Sequence, residues 1–400
     1  MEAIFSKFKK EELAQLYFVE IDVDRDFAEA NFYVSDKDVV KSMYGAKIEN
    51  KYSLTKSLND NSQNFGESKI VQFLRNHNQT FALFRDLLWQ TFRLEKKDSL
   101  LSWIKDFNPN FIFFVGGYQA STHRMVRFLS NRFQVKYGIF YTDDYIIYPN
   151  QDNILKKIQH GRLKRSYAKT IKDASICFAI GDMMAEEYSK YFNKTFQPIM
   201  NMVRTDLPII KITNNEKFVI SYFGGLHLNR WRMLAGFSSQ LDQKSIILRV
   251  YANDVLKEDV ARIFEETNID FKGCVTGEGL KNAIADSDAL IHVESDLLEY
   301  RSLTKLSVST KIPEYLNTNK LVIAYGPKDI ASIKLISDNN LGLVINHQNE
   351  VREKMDEILK NPSQIAVFSE NARNYASSYF NIEKNSLKFK QLIENIIHED

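Results

Sequence analysis

Apolar residues along the chain fall into short runs of strand length, separated by longer stretches in which they recur every three or four positions. Continuous apolar runs at 110–115, 137–141 and 175–180 read as buried strands, and the runs at 218–223, 246–251, 269–271, 289–293 and 321–325 restart the same pattern. Helical spacing fills the intervals at 120–131, 154–172, 183–191, 260–266, 279–285 and 310–316. Strands alternating with helices predict parallel sheets. The start of the chain reads as a helix over 1–12 and a strand over 13–21. A polar, Asn- and Ser-rich stretch at 50–68 reads as loop, followed by helical patterns at 70–76 and 81–92. The segment 195–215 carries Pro198 and Pro208 and has no clear period. A boundary is therefore expected near residue 205, giving an α/β domain over 1–205 and a second over 206–379. A last helix, over 382–398 in the stretch 380–400, is expected to pack back on the first domain.

Glycines and polar residues follow most of the apolar runs directly. In open parallel sheets ligands sit outside the carboxyl ends of the strands, so two such domains would face each other across a cleft with a site on each wall. Four hundred residues suit two domains of ordinary size. The formal net charge of +2 gives no bulk drive toward nucleic acid, and none is expected as a partner. No CxxC or HExxH occurs, so metal and redox chemistry lack a motif. Cys177 and Cys274 both lie in apolar runs, read as buried thiols of a reducing compartment. The N-terminus has no signal-peptide pattern and no apolar stretch reaches 18 residues. The expected location is cytoplasmic, with contact at the inner face of the plasma membrane.

The segment Ser309-Thr-Lys-Ile-Pro-Glu-Tyr-Leu316 carries the strongest chemical signal. Ser309 or Thr310 is suited to cap a helix, and Pro313 suits its first turn. A helix starting near Thr310 would offer free N–H groups to a phosphate, with Lys311 adding a full charge. Glu314, one turn on, could accept hydrogen bonds from a vicinal diol such as a ribose. The alternative is a capped surface helix. A second signal is Ser221-Tyr-Phe-Gly-Gly-Leu-His-Leu-Asn-Arg-Trp-Arg232. Gly224 and Gly225 let backbone approach a ligand, and Arg230 and Arg232 could reach a diphosphate. The full GxGxxG is absent, so a dinucleotide fingerprint is not supported.

The order of these motifs, with Ile269-Asp-Phe-Lys-Gly-Cys-Val275, the 280–293 segment LKNAIADSDALIHV and Asn319-Lys-Leu-Val-Ile-Ala-Tyr-Gly326, resembles the donor half of GT-B-fold retaining glycosyltransferases of the family-4 type. Such enzymes act in bacterial capsule, O-antigen and teichoic-acid pathways. Gln15-Leu-Tyr-Phe18, the 107–114 strand and Ile180-Gly-Asp-Met-Met184 extend the resemblance to the first half. It implies two Rossmann-like α/β domains facing across a cleft, a nucleoside-diphosphate sugar as donor, and a glycan or lipid-linked acceptor. It implies that Glu314 holds the ribose and that Ser309 and Thr310 present N–H groups to the diphosphate. Gly225 and Arg230 would flank the same phosphates, and Gly273, Cys274 and Val275 would touch the nucleobase. No cofactor or metal is expected, since basic groups can neutralise the leaving diphosphate.

Two departures stand out. The first carboxylate of the family's Glu-x7-Glu motif falls at Leu306, with Glu294 or Glu299 as candidate substitutes. The family's opening strand also has no counterpart, so the N-terminal sheet is expected to lack its first strand, with coding sequence upstream. A non-catalytic partner protein or a nucleotide-sugar epimerase are the alternative readings. For the acceptor wall, Asp143 and Asp144 end a strand, where the resemblance implies a polar residue near the reacting carbon; a turn is the alternative. Gly117, His123 and Arg124 follow another strand end and are placed at the cleft, against a helix-surface reading. His292 reads as structural. The basic run from Lys156 to Lys172 contains no acidic residue and reads as a contact for anionic lipid or as a solvated helix face. Residues 81–92 read as a core-facing helix.

Overall fold

In the computed structural model the described residues are 2–18, 27–43, 78–149, 153–205 and 216–399. The expected loop at 50–68 and helical pattern at 70–76 lie outside them. The expected opening helix is instead two single 3-10 turns, Glu2–Phe5 and Lys10–Glu12. Residues 9–12 hold together through the Glu12 carboxylate, which accepts the Lys9 backbone N–H at 2.6 Å. Twelve residues mixing three lysines with three glutamates offer too narrow an apolar stripe to dock a longer helix.

Twelve strands form three parallel sheets among the described residues. β1 (Ala14–Tyr17) and β2 (Ala30–Tyr33) pair in register from Ala14 opposite Ala30 to Tyr17 opposite Tyr33. β3 (Phe111–Gly116), β4 (Lys136–Tyr141), β5 (Ile176–Ile180) and β6 (Phe196–Ile199) form a four-stranded sheet in chain order. Among the described residues β3 is hydrogen-bonded on one side only, to β4. The second half holds β7 (Phe218–Phe223), β8 (Ile246–Tyr251), β9 (Ile269–Phe271), β10 (Ala289–Val293), β11 (Leu321–Tyr325) and β12 (Leu343–Ile345). Their spatial order is β12-β11-β10-β7-β8-β9. The chain order therefore reverses between β7 and β10, where Ala289 pairs with Ile220 and Leu290 with Ser221. In such sheets the crevice above the reversal is where ligands bind.

Burial explains the strand pattern. β5, β10 and β11 are buried at every position, as strands covered by helices on both faces must be. The first half packs around Ile139, Tyr141, Phe178 and Tyr188. The helix Ile382–His398 completes that core: Phe389 is buried, with its ring 5.4 Å from Phe113 and 5.6 Å from Phe178. The chain returns to the first half beside the path by which it left. Val203 donates its N–H to Phe380 O at 2.8 Å, and Ile382 donates to Val203 O at 3.0 Å. In the helix Asn78–Phe92, Trp89 and Phe92 are buried, so its apolar stripe faces the core. No helix among the described residues is long and apolar enough to cross a membrane.

Candidate functional site

At the β7–β10 reversal, a narrow recess is lined by Tyr222, Phe223, Arg230, His292, Val293, Ser309, Lys311 and Tyr315. Four structural elements converge there. β7 ends in Gly224, whose φ of +153° is open to glycine and strained for other residues. A Cβ at Gly224 would lie 2.5 Å from Lys311 Nζ and 3.1 Å from the Tyr222 hydroxyl. The absence of a side chain thus lets the Lys311 ammonium settle over the turn. Tyr222 fixes that turn by donating its hydroxyl to Gly225 O at 2.7 Å. Arg230 opens the helix Arg230–Ser238 and points back to Glu294, 3.2 Å away at the end of β10. Tyr315 ties the helix Ile312–Leu316 to β7, accepting from Phe223 N at 3.2 Å and donating to Phe223 O at 3.1 Å.

The electrostatics would suit an anion. Burial lowers the pKa of Lys311, and the neighbouring Arg230 charge lowers it further, against opposing pulls from Glu314 and Glu294. Among the described residues, Lys311 Nζ makes no ion pair or hydrogen bond. Glu294 is almost fully buried. Burial alone would raise its pKa, but His292, at 3.1 Å, and Arg230 prevail and hold it below the usual glutamate range. Arg230 is thus paired with Glu294, while Lys311 has no carboxylate within ion-pair distance among the described residues.

Glu314 is exposed at the rim; the protein packed around its head raises its pKa while Lys311 draws it down. Val275 is half-buried beyond Gly273 and Cys274. Cys274 is exposed, which corrects the expectation of two buried thiols: it falls in the loop after the three-residue β9, while Cys177 lies within the buried β5. The helix after Ser309 begins at Ile312 rather than near Thr310 and has only five residues. Its dipole is correspondingly small, since each aligned peptide adds to it. Ser309 donates its backbone N–H to Ser332 Oγ at 3.2 Å, so that group is already used. Thr310 is exposed, and its carbonyl accepts from Asn201 at 2.9 Å. Charge at this point comes from the Lys311 and Arg230 side chains, not from a helix end.

On the facing wall, Asp143 is exposed and accepts from Ser307 Oγ at 3.4 Å, a contact between the two halves. Asp144 does not share that position. It is buried, and its carboxylate accepts the N–H groups of Ile146, Ile147 and Tyr148 at 2.8–2.9 Å and the Tyr188 hydroxyl at 2.8 Å. Four donors saturate it, so Asp144 closes a turn and is corrected from a candidate base to a structural residue. His123 is likewise corrected. It is fully buried, 4.4 Å from the Tyr167 ring centroid, and its Nε2 donates to Gly117 O at 3.3 Å. Burial pushes its pKa down to about 3, so it stays neutral inside the core. Arg124 turns away to Gln90 O at 2.8 Å and Glu95. Gly117 does border open space: a Cβ there would meet nothing within 4 Å.

Leu306 is fully buried, within the apolar core of the first half that includes Tyr141, Ile180 and Met184. The segment around it is held across the cleft. The Lys305 ammonium lies 4.0 Å from the Tyr148 ring centroid, and a Cβ on Gly181 would meet Val308 Cγ2 at 2.9 Å. Of the two substitute carboxylates, Glu294 lies behind the recess against its lining residues Arg230 and His292, and Glu299 is exposed on the helix Leu298–Thr304. His292, read as structural, lines the recess beside Glu294. Its signal lay in period two: His292 and Glu294 are polar residues on one face of an otherwise wholly apolar strand end.

No protein-family model matches the sequence, and no curated protein is significantly similar to it. Solved structures are similar in fold. A glycosyltransferase from Rickettsia africae superposes with a TM-score of 0.60 at 14% identity, over 97% of this chain and 98% of that one. Sucrose-phosphate synthase from Thermosynechococcus elongatus gives 0.58 at 13% identity, over 75% and 76%. HepE from Anabaena, solved with UDP, gives 0.56 at 13%, over 75% and 82%. The fold is that of the GT-B glycosyltransferases. In this GT-B fold the recess lies at the strand-order reversal of the second sheet, and Asp143 of the first half contacts Ser307, two residues before Ser309 of its lining.

The glycine turn supplies a direct check. Gly224→Ala is expected to lower stability by about 1–3 kcal/mol, because alanine is strained at that φ. It should also weaken binding of any nucleotide, because the new methyl displaces the Lys311 ammonium. Urea melts with and without UDP separate the two effects, and unchanged ligand binding in a folded variant would remove Gly224 from the site.

Proposed function

We propose that this chain is a glycosyltransferase that moves a sugar from a nucleoside-diphosphate sugar to a glycan or lipid-linked glycan acceptor. The reading extends to cell-surface polysaccharide synthesis with retention of configuration, in the manner of the family-4 enzymes it resembles. The observation that carries it is Lys311 over the Gly224 turn with Arg230 close by, Lys311 having no ion-pair partner among the described residues. A diphosphate would supply that missing charge. As the bond to the sugar breaks, negative charge grows on the leaving diphosphate, and two fixed cations in a water-poor recess stabilise it. Glu314 at the rim would accept hydrogen bonds from the ribose. Asp143 on the facing wall would orient the acceptor hydroxyl and take its proton. That HepE was solved with UDP and with UDP-glucose supports a nucleotide sugar as donor.

The test is a thermal-shift screen of the chain against UDP, GDP, CDP and their sugars, repeated with Glu314→Ala. A rise in melting temperature for one base, lost in the variant, is the expected outcome; equal responses would remove Glu314 from the ribose contact. Release of nucleotide only when a glycan acceptor is added would then establish transfer. One observation favours a second reading, a nucleotide-binding partner without turnover: Leu306 stands, buried, where the family-4 pattern has its sugar-contacting carboxylate. Tight binding with no release in any acceptor mixture would favour it.

A further inference from the structure

The helix Ile154–Asp173 presents two faces of different character. Leu163, Ser166, Tyr167, Thr170 and Ile171 are buried, which fixes its orientation. The opposite face carries Lys157, Lys164, Arg165, Lys169 and Lys172, all exposed. At its first turns three aliphatic side chains stand in water: Ile154 is 73% exposed, Leu155 43% and Ile158 51%. Ile154 and Ile158 lie one turn apart, so they form one apolar knob with Lys157 beside it. The only acidic residue of the helix is Asp173, at its far end. In a chain with a formal net charge of +2, this is a local concentration of positive charge.

We propose that this face docks the protein on an anionic bilayer, with Ile154, Leu155 and Ile158 entering the headgroup–acyl boundary and the lysines and Arg165 resting on the headgroups. Exposed aliphatics gain by leaving water, and basic residues gain from the negative surface potential; the two act together only at a lipid surface. A soluble polyanion would satisfy the charges and leave the three aliphatics in water. His160 Nε2 donates to Ile146 O at 2.9 Å, so the helix is anchored to the turn that follows Asp143. Docking does not depend on the proposed chemistry and has its own readout.

The experiment is co-sedimentation of the full chain with vesicles of phosphatidylcholine alone and of phosphatidylcholine with about one third phosphatidylglycerol, which gives the surface a negative potential. Binding is expected to the anionic vesicles, weakening as salt rises. The combined variant Lys157→Glu, Arg165→Glu and Lys169→Glu should bind at least roughly 100-fold more weakly, at about fivefold per basic residue. The variant Ile154→Ser, Leu155→Ser and Ile158→Ser should bind roughly tenfold or more weakly while keeping the parent melting temperature, since its changes are on the surface. Wild-type vesicle binding by the serine variant would overturn insertion. Equal affinity of parent and serine variant for heparin, with no pelleting on anionic vesicles, would reassign the face to soluble polyanions and overturn the proposal.

Discussion

Lys311→Met is expected to give a protein that melts no lower than the parent yet binds nucleoside diphosphates roughly thirtyfold more weakly. Charge-assisted hydrogen bonds to phosphate are worth about 2 kcal/mol, which sets the loss of affinity. The stability half follows from the unliganded site. Lys311 sits in partial burial beside Arg230, and both effects lower its pKa. A lysine whose pKa falls on folding binds fewer protons in the folded state than in the unfolded one. The unliganded protein therefore gains stability as pH rises through the interval between the folded and unfolded values, and methionine removes that handicap. Ligand binding shows the opposite slope. A bound diphosphate favours the charged ammonium and raises its pKa, so binding takes up protons and affinity falls as pH climbs past the free-state value. Calorimetry of UDP binding in buffers of different ionisation enthalpy measures that uptake. A variant that melts well below the parent would mean that Lys311 has a stabilising partner in the empty site.

Leu306→Glu, which places a glutamate where the family-4 pattern has one, is expected to destabilise the fold by several kcal/mol and to add no transfer activity. The position is sealed in apolar surroundings, where an unpaired carboxylate is costly. Leu306→Ala isolates the packing share and should cost about 2–5 kcal/mol. Urea denaturation of both variants at neutral pH distinguishes the contributions. If the glutamate variant kept parental stability and gained turnover with a nucleotide sugar, Leu306 would have to face the cleft in solution.

The second half is well legible from sequence because its central strands are covered on both faces. β10 and β11 read as unbroken apolar runs for that reason, and the glycines that follow β7 and β11 mark the ends. The short β2, β6 and β12 escape such a reading: four residues or three, partly exposed, show no period. The chemistry divides along the same line. Gly224, Arg230 and Lys311 stand out in the sequence as a glycine turn and two basic residues, and the structure brings them together. Asp143 and Asp144 are adjacent, and adjacency cannot say which one faces solvent. Only the arrival of Tyr188, from a helix 44 residues later, shows that Asp144 is used up inside. His123 is similar, since its neutrality depends on Tyr167 and Gly117 closing around it. The family pattern at 306 has the opposite problem: spacing says what to expect there, and packing against the other half decides what is tolerated.

The return of the last helix to the first sheet, alongside the outgoing chain at Val203, has a bearing on how such chains can be recombined. The first half in three dimensions is two separate stretches of sequence, and Phe389 is as much its property as Phe113. A chimera joined once, between the sheets, would put a foreign helix against the rings of Phe5, Phe113 and Phe178. Exchange of the second half between proteins of this fold needs two junctions, one near Thr205 and one near Asn381, where the side chains of those two residues already meet.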